Sequence, residues 1–194
     1  MYLFFDTETN GLPKNWGAHV HDVDNWPRML QLAYVICDED GDVRMSRNML
    51  IKPEGFEINE DAAKVHGFTR DILEKKGISI IKALTMFLSD LQDANILVAH
   101  NIQFDKSILG AELIRAAMEA GYEDFIKLER ICTMHSSTQF CALQGPRGIK
   151  WPKLQELHKK LFGAEFEDAH DALADVSATA KCFFELKKLN VIKI

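Results

Sequence analysis

The chain has 194 residues, 47% of them hydrophobic, which is one domain's worth of sequence with enough apolar material to bury a sizeable core. A net charge of −6 argues against a protein that wraps long stretches of duplex by charge alone, and no apolar run approaches the ~18 residues that a membrane span needs. Met1 leads straight into an apolar strand pattern and not into a charged, signal-like segment, so a soluble, cytoplasmic protein without membrane contact is expected.

Residues 2–6 read as a buried first strand. Asp6 and Glu8 stand two apart at its end, so on extended backbone both point to the same face. A charge at the edge of an apolar element is costly unless something pairs it, and here two like charges converge. They need a compensating cation, and ligation by carboxylates alone suits Mg²⁺ or Mn²⁺ and not zinc. Residues 13–28 read as a loop containing Trp16, His19, His21, Trp26 and Arg28, whose aromatics either lean over a bound molecule or cover the sheet edge.

Met29–Cys37 and residues 43–51 flank an Asp-Gly pair within 38–42, a strong hairpin signal, so the first three strands form an antiparallel meander that Pro53 closes. The pattern then turns helical. Asn59 caps a short helix through Val65 and Thr69 another through Lys76. Ser79 caps a longer one whose Ile80, Ala83, Leu84, Phe87, Leu88 and Leu91 recur at helical spacing. Residues 95–99 are a buried strand leading into His100, 104–120 a helix that stops at Gly121, and 128–132 the fifth strand. Residues 139–153, with Gly145, Pro146, Gly148 and Pro152, read as a loop. Residues 154–162 and 171–189 are the last helices, with Asp171 as N-cap and Leu173, Val176, Ala180 and Phe183 as one apolar stripe. Three antiparallel strands followed by strand–helix alternation indicate an α/β fold, a mixed sheet covered by helices.

Cys37, Cys132, Cys141 and Cys182 are far apart and form no CxxC pair, so neither a disulfide framework nor a zinc ribbon is suggested. Cys132, His135 and Cys141 lie close in sequence, but a fourth ligand and the usual paired spacing are missing, and buried reduced thiols are expected.

Three segments carry a resemblance. They are Phe-Asp-Thr-Glu-Thr-Asn-Gly-Leu with Asp6 and Glu8, Ala-His-Asn-Ile-Gln-Phe-Asp with Asp105, and His-Asp-Ala-Leu-Ala-Asp with His170 and Asp175. In this order and spacing they resemble the DnaQ-like 3′-5′ exonucleases, the DEDDh group that includes proofreading subunits of replicative polymerases, ribonuclease T and oligoribonuclease. The resemblance runs from residue 2 to about 186, departs at none of the five catalytic positions, and takes the histidine subgroup because His170 stands five before Asp175. It implies a ribonuclease H-like three-layer α/β/α fold with a mixed five-stranded sheet, and one exonuclease domain over residues 1–194.

The resemblance also implies two divalent cations, Mg²⁺ or Mn²⁺. Asp6 would bridge both, Glu8 and Asp175 would complete the first, and Asp105 would serve the second directly or through water. His170 would take the proton from the attacking water, a role matched by an unperturbed imidazole pKa near ~6.5. Thr9, Asn10 and Gly11 would present backbone and side-chain groups to the terminal nucleotide, and Leu12 would wedge against its base. His66 and Phe104 would complete the pocket, with Asn101 near the scissile end. For Leu12, His66 and Phe104, plain core packing is the other reading.

The expected partner is the 3′ end of a single strand, DNA ahead of RNA, with nucleoside 5′-monophosphates released. The first alternative is a ribonuclease of the same fold that trims RNA 3′ ends or degrades short oligoribonucleotides. The second is a non-catalytic adaptor, whose mark would be a lost carboxylate, and all are present. Whether the chain stands free or docks to a polymerase, and its oligomeric state, stay open. Arg147, Lys150, Lys153, Lys159 and Lys160 face a single acid, Glu156, with Trp151 interleaved. That stretch reads either as a phosphate track or as a solvated helix face.

Overall fold

In the computed structural model, which describes residues 1–194 apart from Asp168 and His170, alternation along the first strand sets the architecture. β1 (Tyr2–Thr9) sends Leu3 and Phe5 into one apolar core and Tyr2 and Phe4 into another, as a strand buried on both faces must. β2 (Met29–Cys37) runs antiparallel to β1 and divides the same way, Leu32, Tyr34 and Ile36 to one side, Ala33, Val35 and Cys37 to the other. β3 (Val43–Leu50) completes the meander across the turn that holds Gly41 at φ 94°, a left-handed conformation costing a glycine little. β4 (Ile96–Ala99) and β5 (Glu129–Cys132) add in parallel, so the order is β3-β2-β1-β4-β5 with β1 at the centre. The C-terminal ends of β1, β4 and β5 therefore share one edge of the sheet.

Two short helices, α1 (Glu60–His66) and α2 (Arg70–Lys76), follow the meander. α3 (Ile80–Leu91), α4 (Ile102–Arg115) and α5 (Glu119–Lys127) then cover the first core. α6 (Thr133–Cys141), α7 (Leu154–Phe162) and α8 (Ala172–Lys188) cover the second, which makes the expected three-layer mixed α/β fold. The anticipated caps hold: Asn59 accepts from Asp61 N, Thr69 from Ile72 N and Ser79 from Lys82 N, satisfying donors the first helical turns leave free. Among the described residues no helix is long and apolar enough to cross a membrane.

Three local expectations change. β1 continues to Thr9, so Asp6 and Glu8 both lie on strand. The single helix expected over 104–120 is two helices, parted where Ala117 turns to φ 53°. Gly121 does not stop a helix. It lies inside α5, where a Cβ would stand 2.3 Å from Leu88 Cδ1 of α3, so its role is close helix approach. The loop expected over 139–153 instead begins inside α6 and carries a small hairpin of β6 (Gln144–Gly145) and β7 (Gly148–Ile149). Ser137 and Thr138 of α6 turn their hydroxyls back to the carbonyls of Thr133 and Met134, which satisfies the hydroxyls within the helix.

In the 13–28 loop a 3₁₀ turn spans Val23–Asn25, Trp26 is buried in the first core, and Trp16 is 58% exposed with its ring 5.8 Å from Phe104. One aromatic covers the sheet and the other reaches toward the solvent. All four cysteines are free thiols.

Candidate active site

Beyond Phe4 the alternation of β1 places Asp6 and Glu8 on the second-core side and Thr7 and Thr9 on the α4 side. The first turn of α8 brings Asp175 to the same point, and carboxylate oxygens of Asp6, Glu8 and Asp175 lie within 4.8 Å of one another. Asp105, in the first turn of α4, is buried and meets β1 from the opposite face: its Oδ1 accepts from Thr7 N at 3.0 Å and from Thr7 Oγ1 at 2.9 Å.

The start of α8 is held from both directions. Asp171 caps it, with Oδ1 accepting from Leu173 N and Ala174 N at 3.0 and 3.2 Å. Gln31 of β2, buried and directly across from Glu8, accepts from Ala172 N at 3.2 Å and donates to Asn48 Oδ1 at 2.7 Å. Gln31 and Thr7 were missed as site-building residues. The available signal was a lone amide in the apolar run of β2 and a hydroxyl between two acids.

The electrostatics follow from that crowding. Burial first, then the charges of Asp105, Asp175, Glu8 and Asp171, push the Asp6 carboxyl well above the usual carboxylate range. Burial and the same neighbours raise Glu8 to about 8. Burial raises Asp105 to about 7, against the pull of the two Thr7 hydrogen bonds. Among the described residues no lysine or arginine forms a salt bridge with Asp6, Glu8 or Asp105. A set of oxygen donors that resist being charged together fits a divalent cation of the hard, oxygen-preferring kind. Cys132, His135 and Cys141 form no such group among the described residues.

Beside Glu8 opens a cavity of about 500 Å³. Thr9, Gly11, Leu12, His66 and Phe104 line it, together with Thr7 and with Asn59 and Val65 around α1. Leu12 is 73% exposed, so it is not core packing. The His66 ring stacks on Phe68 at 4.9 Å and its Nδ1 accepts from Phe68 N at 3.0 Å, which fixes the ring's orientation. Two further expected residues do not line this cavity. The Asn10 side chain is engaged inside the protein, accepting from Arg28 N at 2.7 Å and donating to Glu57 O at 2.9 Å. Asn101 precedes α4 at φ 69° and does not line the cavity. His170 lies outside the described residues. A second cavity, about 1080 Å³ between the β2–β3 turn, α7 and α8, holds none of the clustered carboxylates.

The chain matches the ribonuclease T family model, described as exonuclease, over residues 3–183. No curated protein matches it. Among solved structures it is similar to E. coli exonuclease I in complex with a dA16 oligonucleotide, at 20% identity and a TM-score of 0.74 over 96% of this chain and 40% of that one. The zinc-bound form of the E. coli exonuclease I–single-stranded DNA complex matches at 23% identity and a TM-score of 0.74, over 97% of this chain and 40% of that one. A moderately thermophilic exonuclease I from Methylocaldum szegediense matches at 21% identity and a TM-score of 0.71, over 96% and 40%. The chain thus spans about two-fifths of the length of these proteins, whose likeness is one of fold.

Proposed function

The chain belongs to the exonuclease family whose model it matches from residue 3 to 183, and from that premise we propose that it removes nucleotides from the 3′ ends of single strands, using two Mg²⁺ or Mn²⁺ ions. The observation that carries this reading is the convergence of Asp6, Glu8 and Asp175 within 4.8 Å, beside buried Asp105 and at the mouth of a partly apolar pocket. Bound there, a pair of divalent ions stabilises both the attacking and the leaving oxygen of an in-line displacement at phosphorus.

Asp6, Glu8 and Asp175 would hold one ion, and Asp6 with Asp105, directly or through water, would serve the other, with Thr7 restraining Asp105. Leu12, His66 and Phe104 receive the terminal base on flat surfaces that tolerate any base, because every base has a π-face. Thr9 and Gly11 lie against its sugar and phosphate. His170 takes the proton from the attacking water, which leaves a nucleoside 5′-monophosphate as product. Residues 1–194 act as one exonuclease domain. The similar E. coli proteins bind dA16 and single-stranded DNA, which supports DNA ahead of RNA; the contacts that read the 2′ position decide between them.

The test compares a single-stranded DNA oligomer, its RNA counterpart and a circular single strand, each with Mg²⁺, Mn²⁺ or excess chelator. Linear DNA should yield 5′-mononucleotides from its 3′ end, a 3′-phosphate should slow release, and chelator should stop it. Rapid nicking of the circle would overturn the reading in favour of an endonuclease.

A further inference from the structure

The geometry points to a second contact for the substrate strand, distinct from the terminal-nucleotide pocket: a platform of Trp151 and His135, flanked by Arg147 and Lys153, that stacks a base upstream of the 3′ end. It rests on the reading of the carboxylate site as a nuclease for single strands.

The basic stretch around Trp151 divides into two kinds of cation. Lys150 is ion-paired with Glu156 and Lys159 with Glu165, so their charge is already compensated. Arg147 and Lys153 are exposed and, among the described residues, form no salt bridge. Between them Trp151 is 63% exposed, and its ring stands 5.0 Å from that of His135, itself exposed at the first turn of α6. A single exposed aromatic is ordinary on a protein surface. A paired one flanked in sequence by cations outside any salt bridge among the described residues has the chemistry that single-stranded nucleic acid uses, an aromatic face for a base and positive charge for the backbone.

The platform is also tied to the site. Pro152 is buried, and its carbonyl can only accept, so His100 Nε2 donates to it at 3.0 Å. Burial, with the nearby His135, holds the His100 ring at about 4 despite the Pro152 carbonyl, so it is neutral and its Nδ1 accepts from the Thr133 hydroxyl at 3.0 Å. His100 directly follows β4, whose Val98 pairs with Phe4 in parallel register, and continuing that register sets His100 level with Asp6. Neighbouring strands lie about 4.8 Å apart. The Trp151 loop is thus anchored one strand away from the carboxylates, on the β4–β5 side. The terminal pocket is built from β1, α1, α4 and the segment after β1 and takes nothing from β5, α6 or α7. A strand whose last nucleotide fills that pocket and whose last phosphodiester lies over Asp6 would pass its upstream bases across Trp151.

The experiment compares the wild type with Trp151→Ala and Trp151→Phe on a dinucleotide, too short to span both contacts, and on a longer oligonucleotide. The stacking of one base predicts that the ratio of kcat/KM for the longer strand to that for the dinucleotide falls roughly 5- to 150-fold in Trp151→Ala and stays near wild type in Trp151→Phe. An unchanged ratio, or equal losses on both lengths, would overturn the platform. A second measurement is independent of hydrolysis: with metal chelated, binding of a 5′-labelled oligonucleotide followed by anisotropy should weaken by a similar factor in Trp151→Ala and not in Trp151→Phe. If the wild type proves to have no nuclease activity, the exonuclease reading fails, while equal binding by all three proteins would still reject the platform.

Discussion

Two sets of buried or half-buried acids in this molecule show opposite treatment of the same chemistry. Glu112 of α4, 1% exposed, accepts from Arg28 Nε at 2.8 Å and from Met29 N at 3.1 Å, and Arg115 Nη1 stands 2.9 Å away. Asp90 of α3 is matched by Arg47 and the Tyr34 hydroxyl; burial alone would raise its carboxyl, but these partners hold it below the usual range. At the end of β1, no lysine or arginine among the described residues pairs with Asp6, Glu8 or Asp105. Asp6, Glu8 and Asp105 have mainly burial and one another for electrostatic company, and their carboxyls are pushed up. The fold can neutralise a buried acid where the acid is architectural, and leaves the charge to an external cation where it is not.

The sharpest break of this comparison is substitution within each set. Asp6→Asn should reduce nuclease activity to background and raise the melting temperature of the metal-free protein, because it removes a ligand and relieves like-charge crowding. Wild-type rates from this variant would end the metal proposal. His170→Ala separates ligand from base: the stabilisation gained on adding Mn²⁺ should persist while the rate falls on the order of 10²- to 10⁴-fold. Loss of the metal-induced shift would show that His170 acts on the ion site instead. Glu112→Ala should do the reverse of Asp6→Asn, destabilising the fold by about 3–5 kcal/mol because two arginines lose their partner. Chemical denaturation measures this, and a neutral result would remove the contrast.

Stability against pH sharpens the comparison further. Glu8 has its folded carboxyl at about 8 against an ordinary 4.5, so between those values the folded protein holds more protons than the unfolded chain. Its contribution is complete below 4.5 and is lost as pH rises through about 8, so metal-free stability should fall across that window. Divalent metal binds the ionised carboxylates, so the melting-temperature gain from Mn²⁺ should be greatest at the alkaline end. A flat metal-free profile would mean that the cluster is not strained. The smallest effect is expected at Gln31, which positions α8 and touches neither set. Gln31→Leu should lower metal affinity or activity roughly 10- to 100-fold, as loss of a ligand-orienting hydrogen bond does, with partial recovery at high Mn²⁺. Recovery distinguishes a displaced Asp175 from general unfolding.

Much of the fold was legible because its signals are local. The Asp-Gly turn before β3, the side-chain caps Asn59, Thr69, Ser79 and Asp171, and the helical spacing of α3 and α8 each act within a few residues. The misreadings came where distant contacts decide. The break between α4 and α5 sits on Ala117, a residue that gives no turn signal, while Gly121 answers to Leu88 of another helix. α6 is rich in hydroxyl residues that disfavour helix until Cys141 packs into the second core.

The sequence by itself determined the pairing of Asp6 and Glu8 on one strand face through a two-residue period, whereas Asp105, Asp175 and the residues around the cavity were singled out only through the resemblance carried by three motifs. Only the tertiary structure decided that Asp175 reaches Asp6 and Glu8, that Thr7 restrains Asp105, that Gln31 fixes the start of α8, and that Asn10 braces a loop instead of lining the pocket. The physical reason is range. Periodicity and capping are fixed by neighbours along the chain, whereas a carboxylate's partners, burial and proton affinity depend on elements separated by up to most of the chain's length.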